Sequence, residues 1–179
     1  MQFLSIFAIV AGLTAPIQCT LCGPPLQIDN FSRWSSNTNS LNDWTSDDGT
    51  MSTISASNNL LLFKPSSSGS YFYESFPCQT ASTNGYNAVS FVIKGPSGGS
   101  LILEIASSVC CSANAQLSKN VQVIGLSGVT QTVIVPFSSA IGANPNAVRE
   151  LTWSGFSTLN TVWQLSNISF VCIPSSVIV

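Results

Sequence analysis

The chain is 179 residues long, carries five basic and seven acidic side chains and no histidine, and is roughly one third Ser, Thr and Asn. A charged fraction of 7%, against the ~25% of an ordinary soluble domain, excludes the electrostatic footprint of a nucleic-acid binder and attachment to an anionic membrane by charge. Without histidine, Ser-His-Asp and Cys-His catalysis, His-ligated metals and copper oxidase chemistry are excluded too, while a hydrophobic content of 45% with ten Phe can fill a core.

The first element is an apolar run over residues 3–13, too short to span a bilayer and followed by small residues. It predicts a secretory signal over residues 1–19 and hence a secreted protein, extracellular or in the cell wall. From residue 26 onward, short apolar runs alternate with Gly, Pro, Asn and Ser clusters, and no helical period is sustained. This pattern predicts one antiparallel all-β domain over residues 26–172, followed by a short tail at 173–179. Strands are predicted at 26–31, 51–55, 60–64, 70–76, 86–94, 100–106, 120–124, 129–137, 148–154 and 161–172. So many short strands imply two packed sheets. Residues 32–50 are polar, carry two Trp and read as a long loop.

Side-chain alternation assigns faces. Leu101, Leu103 and Ile105 share one face of their strand and should be core, which puts Ile102 and Glu104 outside. Val89, Phe91 and Ile93 likewise face inward, leaving Lys94 on the outer side. Phe72 and Phe76 form the apolar side of the next candidate, so Tyr71 and Tyr73 should face outward. Trp153 shares a parity with Leu151, and Trp163 with Leu165, so both are predicted core.

Six cysteines at 19, 22, 78, 110, 111 and 172 suit an oxidising compartment. The Cys19-x-x-Cys22 pair reads as structural. A bridge between the neighbours Cys110 and Cys111 would be strained, so each should pair elsewhere, with Cys78 and Cys172 as candidates. Sequons at Asn30-Phe31-Ser32 and Asn167-Ile168-Ser169 mark Asn30 and Asn167 as candidate N-glycosylation sites.

Two further motifs carry a resemblance. Ile28-Asp29-Asn30-Phe31 resembles the opening strand of secreted jelly-roll domains with the galactose-binding-like fold, and the segment from Trp163 to Val171 is similar to their closing strand. Asp43-Trp44-Thr45-Ser46-Asp47-Asp48-Gly49-Thr50-Met51 resembles a stretch of small secreted fungal proteins of this type. The resemblance implies a carbohydrate-binding-module-like two-sheet β-sandwich. It also implies a structural calcium, for which Asp29 matches the first-strand ligand, while Ser166 and Asn167 stand where the closing carboxylates would be.

Sugar recognition needs aromatic faces against the C–H side of a pyranose, with amides and carboxylates reaching its hydroxyls. Trp34 and Trp44, set in polar loop, and Tyr71, Tyr73, Lys94 and Glu104, on outward strand faces, are the candidates. The partner expected is therefore a neutral polysaccharide or glycan, bound without catalysis, with no cofactor beyond the implied calcium. A secreted effector or wall protein acting through protein contacts is the alternative. An enzyme would need Glu104 paired with Glu74 or Asp48, or a lyase set such as Tyr71, Lys94 and Arg149.

Overall fold

A computed structural model describes residues 22–174. The expected signal at 1–19, and with it Cys19, lies outside the described residues, as do residues 175–179 of the expected tail. The strands are β1 (Leu26–Asp29), β2 (Thr45–Asp47), β3 (Met51–Ser57), β4 (Leu60–Pro65), β5 (Phe72–Gln79), β6 (Ala88–Lys94), β7 (Leu101–Ser107), β8 (Leu117–Val123), β9 (Gln131–Pro136), β10 (Val148–Ser154) and β11 (Trp163–Val171). They form two antiparallel sheets, one in the order β3-β4-β11-β6-β9 with β1 also on β11, the other in the order β2-β5-β10-β7-β8. This is the all-β, two-sheet sandwich expected.

The predicted parities hold because each strand has one apolar side to remove from water. Leu101, Leu103 and Ile105 of β7, and Val89, Phe91 and Ile93 of β6, are buried between the sheets, as are Trp153 and Trp163. Phe91 and Trp153 meet edge to face across the two sheets with centroids 5.6 Å apart, and Trp153 continues to Phe72 at 5.7 Å. At one end of the sandwich Phe156 packs edge-on against Phe63 and tilted against Trp163, and at the other Phe76 and Phe137 pack on Phe170.

The segment 32–50 is more structured than a loop. It holds a 3-10 turn at Trp34–Ser36 and the strand β2, which pairs with β5. Three mostly polar residues carry no readable alternation; β2 exists because β5 offers it an edge.

Two disulfides close the fold. Cys22 bridges Cys172 across a sequence separation of 150, and Cys78 bridges Cys111 across 33. Cys78–Cys111 is one of the expected pairings, and Cys22 is structural as expected. Cys172 departs from the expectation: antiparallel pairing of β1 with β11 sets Leu26 opposite Phe170, which carries Cys22 to Cys172 rather than to the Cys110–Cys111 loop. Cys110, also expected to pair, is exposed and has no disulfide partner among the described residues.

Candidate functional site

The outer face of the five-stranded sheet is built of three cross-strand rows. One runs Ser46, Tyr73, Thr152, Glu104 and Asn120. On one side of it, Ser75, Glu150 and Ala106 are register partners. On the other, Ser154 faces Ile102 and Ile102 faces Gln122, with Tyr71 immediately before β5. Neighbouring strands lie about 4.8 Å apart and successive outward residues about 7 Å apart, so the rows form a grid of side chains within reach of one another.

Along the grid runs a groove of about 470 Å³ lined by Tyr71, Ile102, Glu104, Glu150, Thr152 and Ser154 among others. It continues past Tyr71 and Glu150 into a recess of about 250 Å³ that also takes in Asp47, Asp48 and Tyr73. Gly155 closes one end with φ at +58°, and a Cβ there would stand 2.9 Å from the Ile102 side chain. A left-handed conformation and a close neighbour both select glycine at this point.

The aromatic side chains of the groove support one another. The Tyr71 and Tyr73 rings are 6.0 Å apart, and the Trp44 indole N–H donates to the Tyr73 hydroxyl at 2.9 Å. Trp44 remains 50% exposed and Tyr71 39%, so flat apolar surface stays in contact with solvent. The Glu150 carboxylate accepts from the Ser75 hydroxyl at 3.2 Å and the Thr152 hydroxyl at 3.3 Å. These contacts orient it and leave acceptor capacity free, since a carboxylate offers about four lone-pair positions.

Behind the same sheet lies a second acidic site, closed to solvent. Glu74, one pleat from Tyr73, points inward and is fully buried together with Asp29 of β1. Asn39 donates to Glu74 Oε2 at 3.1 Å and to the Ser75 carbonyl at 2.7 Å, and Thr45 donates to Glu74 Oε1 at 3.0 Å. The Asn39 oxygen in turn accepts from the backbone N–H groups of Leu41 and Asp43. Asp29 Oδ1 accepts from the Phe31 N–H at 2.9 Å, holding Phe31 in the left-handed region at φ 60°. Burial, then the neighbouring charge of Asp29, push the Glu74 carboxyl well above the usual range. Burial also raises Asp29, against the Phe31 N–H and the Arg33 charge that favour its ionised form.

The calcium implied by the resemblance does not fit this chamber. Calcium takes six to eight oxygen ligands, whereas the chamber brings together two carboxyl groups, Asp29 and Glu74, of whose oxygens Asp29 Oδ2 alone has no hydrogen-bond partner. Nor do the described residues contain a group of three or more side chains suited to a metal. Asp29, expected as a metal ligand, is instead the acceptor that shapes the turn after β1.

Of the residues expected to bind ligand, Tyr71, Tyr73, Trp44 and Glu104 come together on the groove face. Trp34 and Lys94 do not. Trp34 is partly buried against Phe31 and Phe72, 6.4 Å and 6.1 Å between ring centroids, because the 3-10 turn directs it at the core. Lys94 is exposed on β6 of the other sheet, opposite Gln164 of β11. Of the enzyme alternatives, Asp48 and Glu104 both lie along the groove and its recess, whereas the other two sets are not assembled. Glu74 is buried on the far side of the sheet from Glu104, and the Arg149 guanidinium donates to the carbonyls of Cys111 and Ala113. Glu150, Thr152 and Ser154 went unrecognised in the sequence, although the inward parity of Leu151 and Trp153 places them outward. Asn39 had no such signal. As for the sequons, Asn167 is exposed at a bulge of β11 with φ 49°, while Asn30 is partly buried and its side chain accepts from the Ser32 N–H.

No family profile matches the sequence and no curated protein does. Solved structures do match in fold. A family 30 carbohydrate-binding module of a cellulosomal cellulase of Clostridium thermocellum superposes with a TM-score of 0.56 at 13% identity, over 84% of this chain and 98% of the module. A mutant of a family 29 carbohydrate-binding module gives 0.53 at 10% identity, over 87% and 96%. A family 11 module of Clostridium thermocellum, solved with a β-1,3-1,4-mixed-linked tetrasaccharide, gives 0.52 at 13% identity, over 84% and 96%. The chain therefore has the jelly-roll fold of these modules.

Proposed function

We propose that the protein is a secreted, non-catalytic binder of an extracellular or cell-wall polysaccharide, which it holds in the groove of the five-stranded sheet. The observation that carries this reading is the exposed Tyr71, which lines the groove together with the oriented Glu150 carboxylate and lies 6.0 Å from the ring of Tyr73, itself hydrogen-bonded to Trp44. Aromatic faces cover the C–H side of a sugar ring, and Glu104, Glu150, Thr152 and Ser154 offer hydrogen bonds to its rim. The fold likeness to carbohydrate-binding modules supports the same reading, and two disulfides agree with an oxidising compartment. The lyase candidates Lys94 and Arg149 and the hydrolase candidate Glu74 lie away from the groove, which favours binding over catalysis. An N-linked glycan at Asn167 would stand on the six-stranded sheet, clear of the groove. The test is retention on insoluble polysaccharides: the protein is retained on at least one of chitosan, chitin, β-glucan and cellulose, and Tyr71→Ala releases it. Absence of retention on all of them rejects the proposal.

A further inference from the structure

Charge is distributed unevenly over the molecule. Two of the seven acidic side chains, Asp29 and Glu74, are buried, while four others, Asp47, Asp48, Glu104 and Glu150, line the groove and its recess. None of the five basic side chains lines either. Lys64 and Lys94 belong to strands of the opposite sheet. Lys119 lies beside Gly142, and the guanidinium groups of Arg33 and Arg149 are bound to loop oxygens around Asn39, Asn42 and Cys111.

We infer that the groove selects glycan chains carrying protonated amines, that is, a polymer of free-amine hexosamine, over neutral and anionic chains. This inference rests on the polysaccharide-binding reading above and names the ligand class for it. A chain lying on Tyr71 takes Glu104 and Glu150 out of water. Covering a carboxylate costs solvation, and a group that returns both hydrogen bonds and charge offsets more of that cost than one that returns hydrogen bonds alone. The hydroxyls of a neutral sugar return hydrogen bonds alone. An ammonium returns both, in the short charge-assisted form, and the free acceptor positions on Glu150 are open to it. A uronate or sulfated chain would place like charge over four carboxylates with no cation in the lining to offset it. The Tyr71 ring supplies what a bare acidic patch lacks, a surface against which a sugar ring, rather than any cation, can lie.

The experiment compares retention of the full chain on cross-linked chitosan, chitin, cellulose and calcium-free polygalacturonate at pH 6, with poly-lysine beads as the polycation without sugar. Chitosan is expected to retain the protein about tenfold more strongly than chitin or cellulose, with polygalacturonate retaining none. Retention on chitosan should fall severalfold between 0.05 M and 0.5 M salt, as screening requires. The double variant Glu104→Gln and Glu150→Gln should lose the chitosan preference, with its thermal midpoint unchanged. Lys94→Gln should change nothing. Equal or stronger, salt-insensitive retention on a neutral glucan overturns this inference and leaves polysaccharide binding standing. Retention on poly-lysine matching that on chitosan, with no effect of Tyr71→Ala, overturns it as charge attraction alone. Absence of retention on every polysaccharide removes the binding reading itself, and the inference with it.

Discussion

Strand β5 places acid and aromatic chemistry on both sides of one sheet, and the two sides use them oppositely. Inward, Glu74 sits with Asp29 among the Asn39 and Thr45 donors and fastens the segment 37–45 to the sandwich. Outward, one residue along, Tyr73 joins Tyr71, Glu104 and Glu150 in an open groove whose carboxylates keep free acceptor positions. The chamber spends its hydrogen-bonding capacity on holding the fold, and the groove leaves part of its own for a ligand. Burial separates the roles: a carboxyl group cut off from water must find partners within the protein, whereas an exposed one can wait for them.

If this contrast is right, chamber variants change stability and groove variants change binding. The largest effect is expected at Asn39, which bonds to Glu74, Ser75, Leu41 and Asp43 at once. Asn39→Ala should cost about 3–5 kcal/mol in urea unfolding; a loss near zero would mean that the chamber does not organise the loop.

The chamber also fixes the sign of a pH dependence. Because the Asp29 and Glu74 carboxyls are both raised in the folded protein, it retains protons that the unfolded chain has released. Their contribution is therefore complete below the unfolded carboxyl range near pH ~4 and declines as pH rises through the folded values, by up to ~1.4 kcal/mol per pH unit for each proton. Thermal midpoints from pH 4 to pH 7 should fall, and Glu74→Gln, which keeps an acceptor for Thr45 and removes the second charge, should flatten the profile. A rising profile in the parent protein contradicts the assignment.

Groove effects come next in size. Tyr71→Ala should weaken polysaccharide binding about tenfold or more, and Trp44→Ala less, through a Tyr73 hydroxyl left without its donor. Both should stay within about 0.5 kcal/mol of parent stability, so a large loss of stability in either would erase the distinction between the two regions. The smallest effect expected is none: a chelator such as EDTA should leave the thermal midpoint unchanged, and a drop of several degrees would restore calcium to the Asp29 chamber.

Much of this arrangement was legible along the chain. Alternation in β5, β6 and β7 revealed which residues face inward, because a strand with one apolar side has a single way to bury it. It therefore located Tyr71, Tyr73 and Glu104, and the same logic applied to β10 reaches Glu150 and Thr152. Trp34 and Lys94 were misplaced for a different reason. Facing outward identifies a surface but not which of two sheets owns it, and Lys94 belongs to β6 of the other sheet. A Trp in polar sequence can still turn onto the core, as Trp34 does against Phe72.

Composition and strand period, both local properties, were sufficient for an all-β sandwich with a weakly charged surface and for the inward or outward sense of most strand residues. Sheet membership, the Cys22–Cys172 bridge, the strand β2 and the meeting of Asp29, Asn39 and Glu74 depend on long-range pairing. Antiparallel partners far apart in sequence set those contacts, and the pattern along any one strand carries no record of which partner it takes.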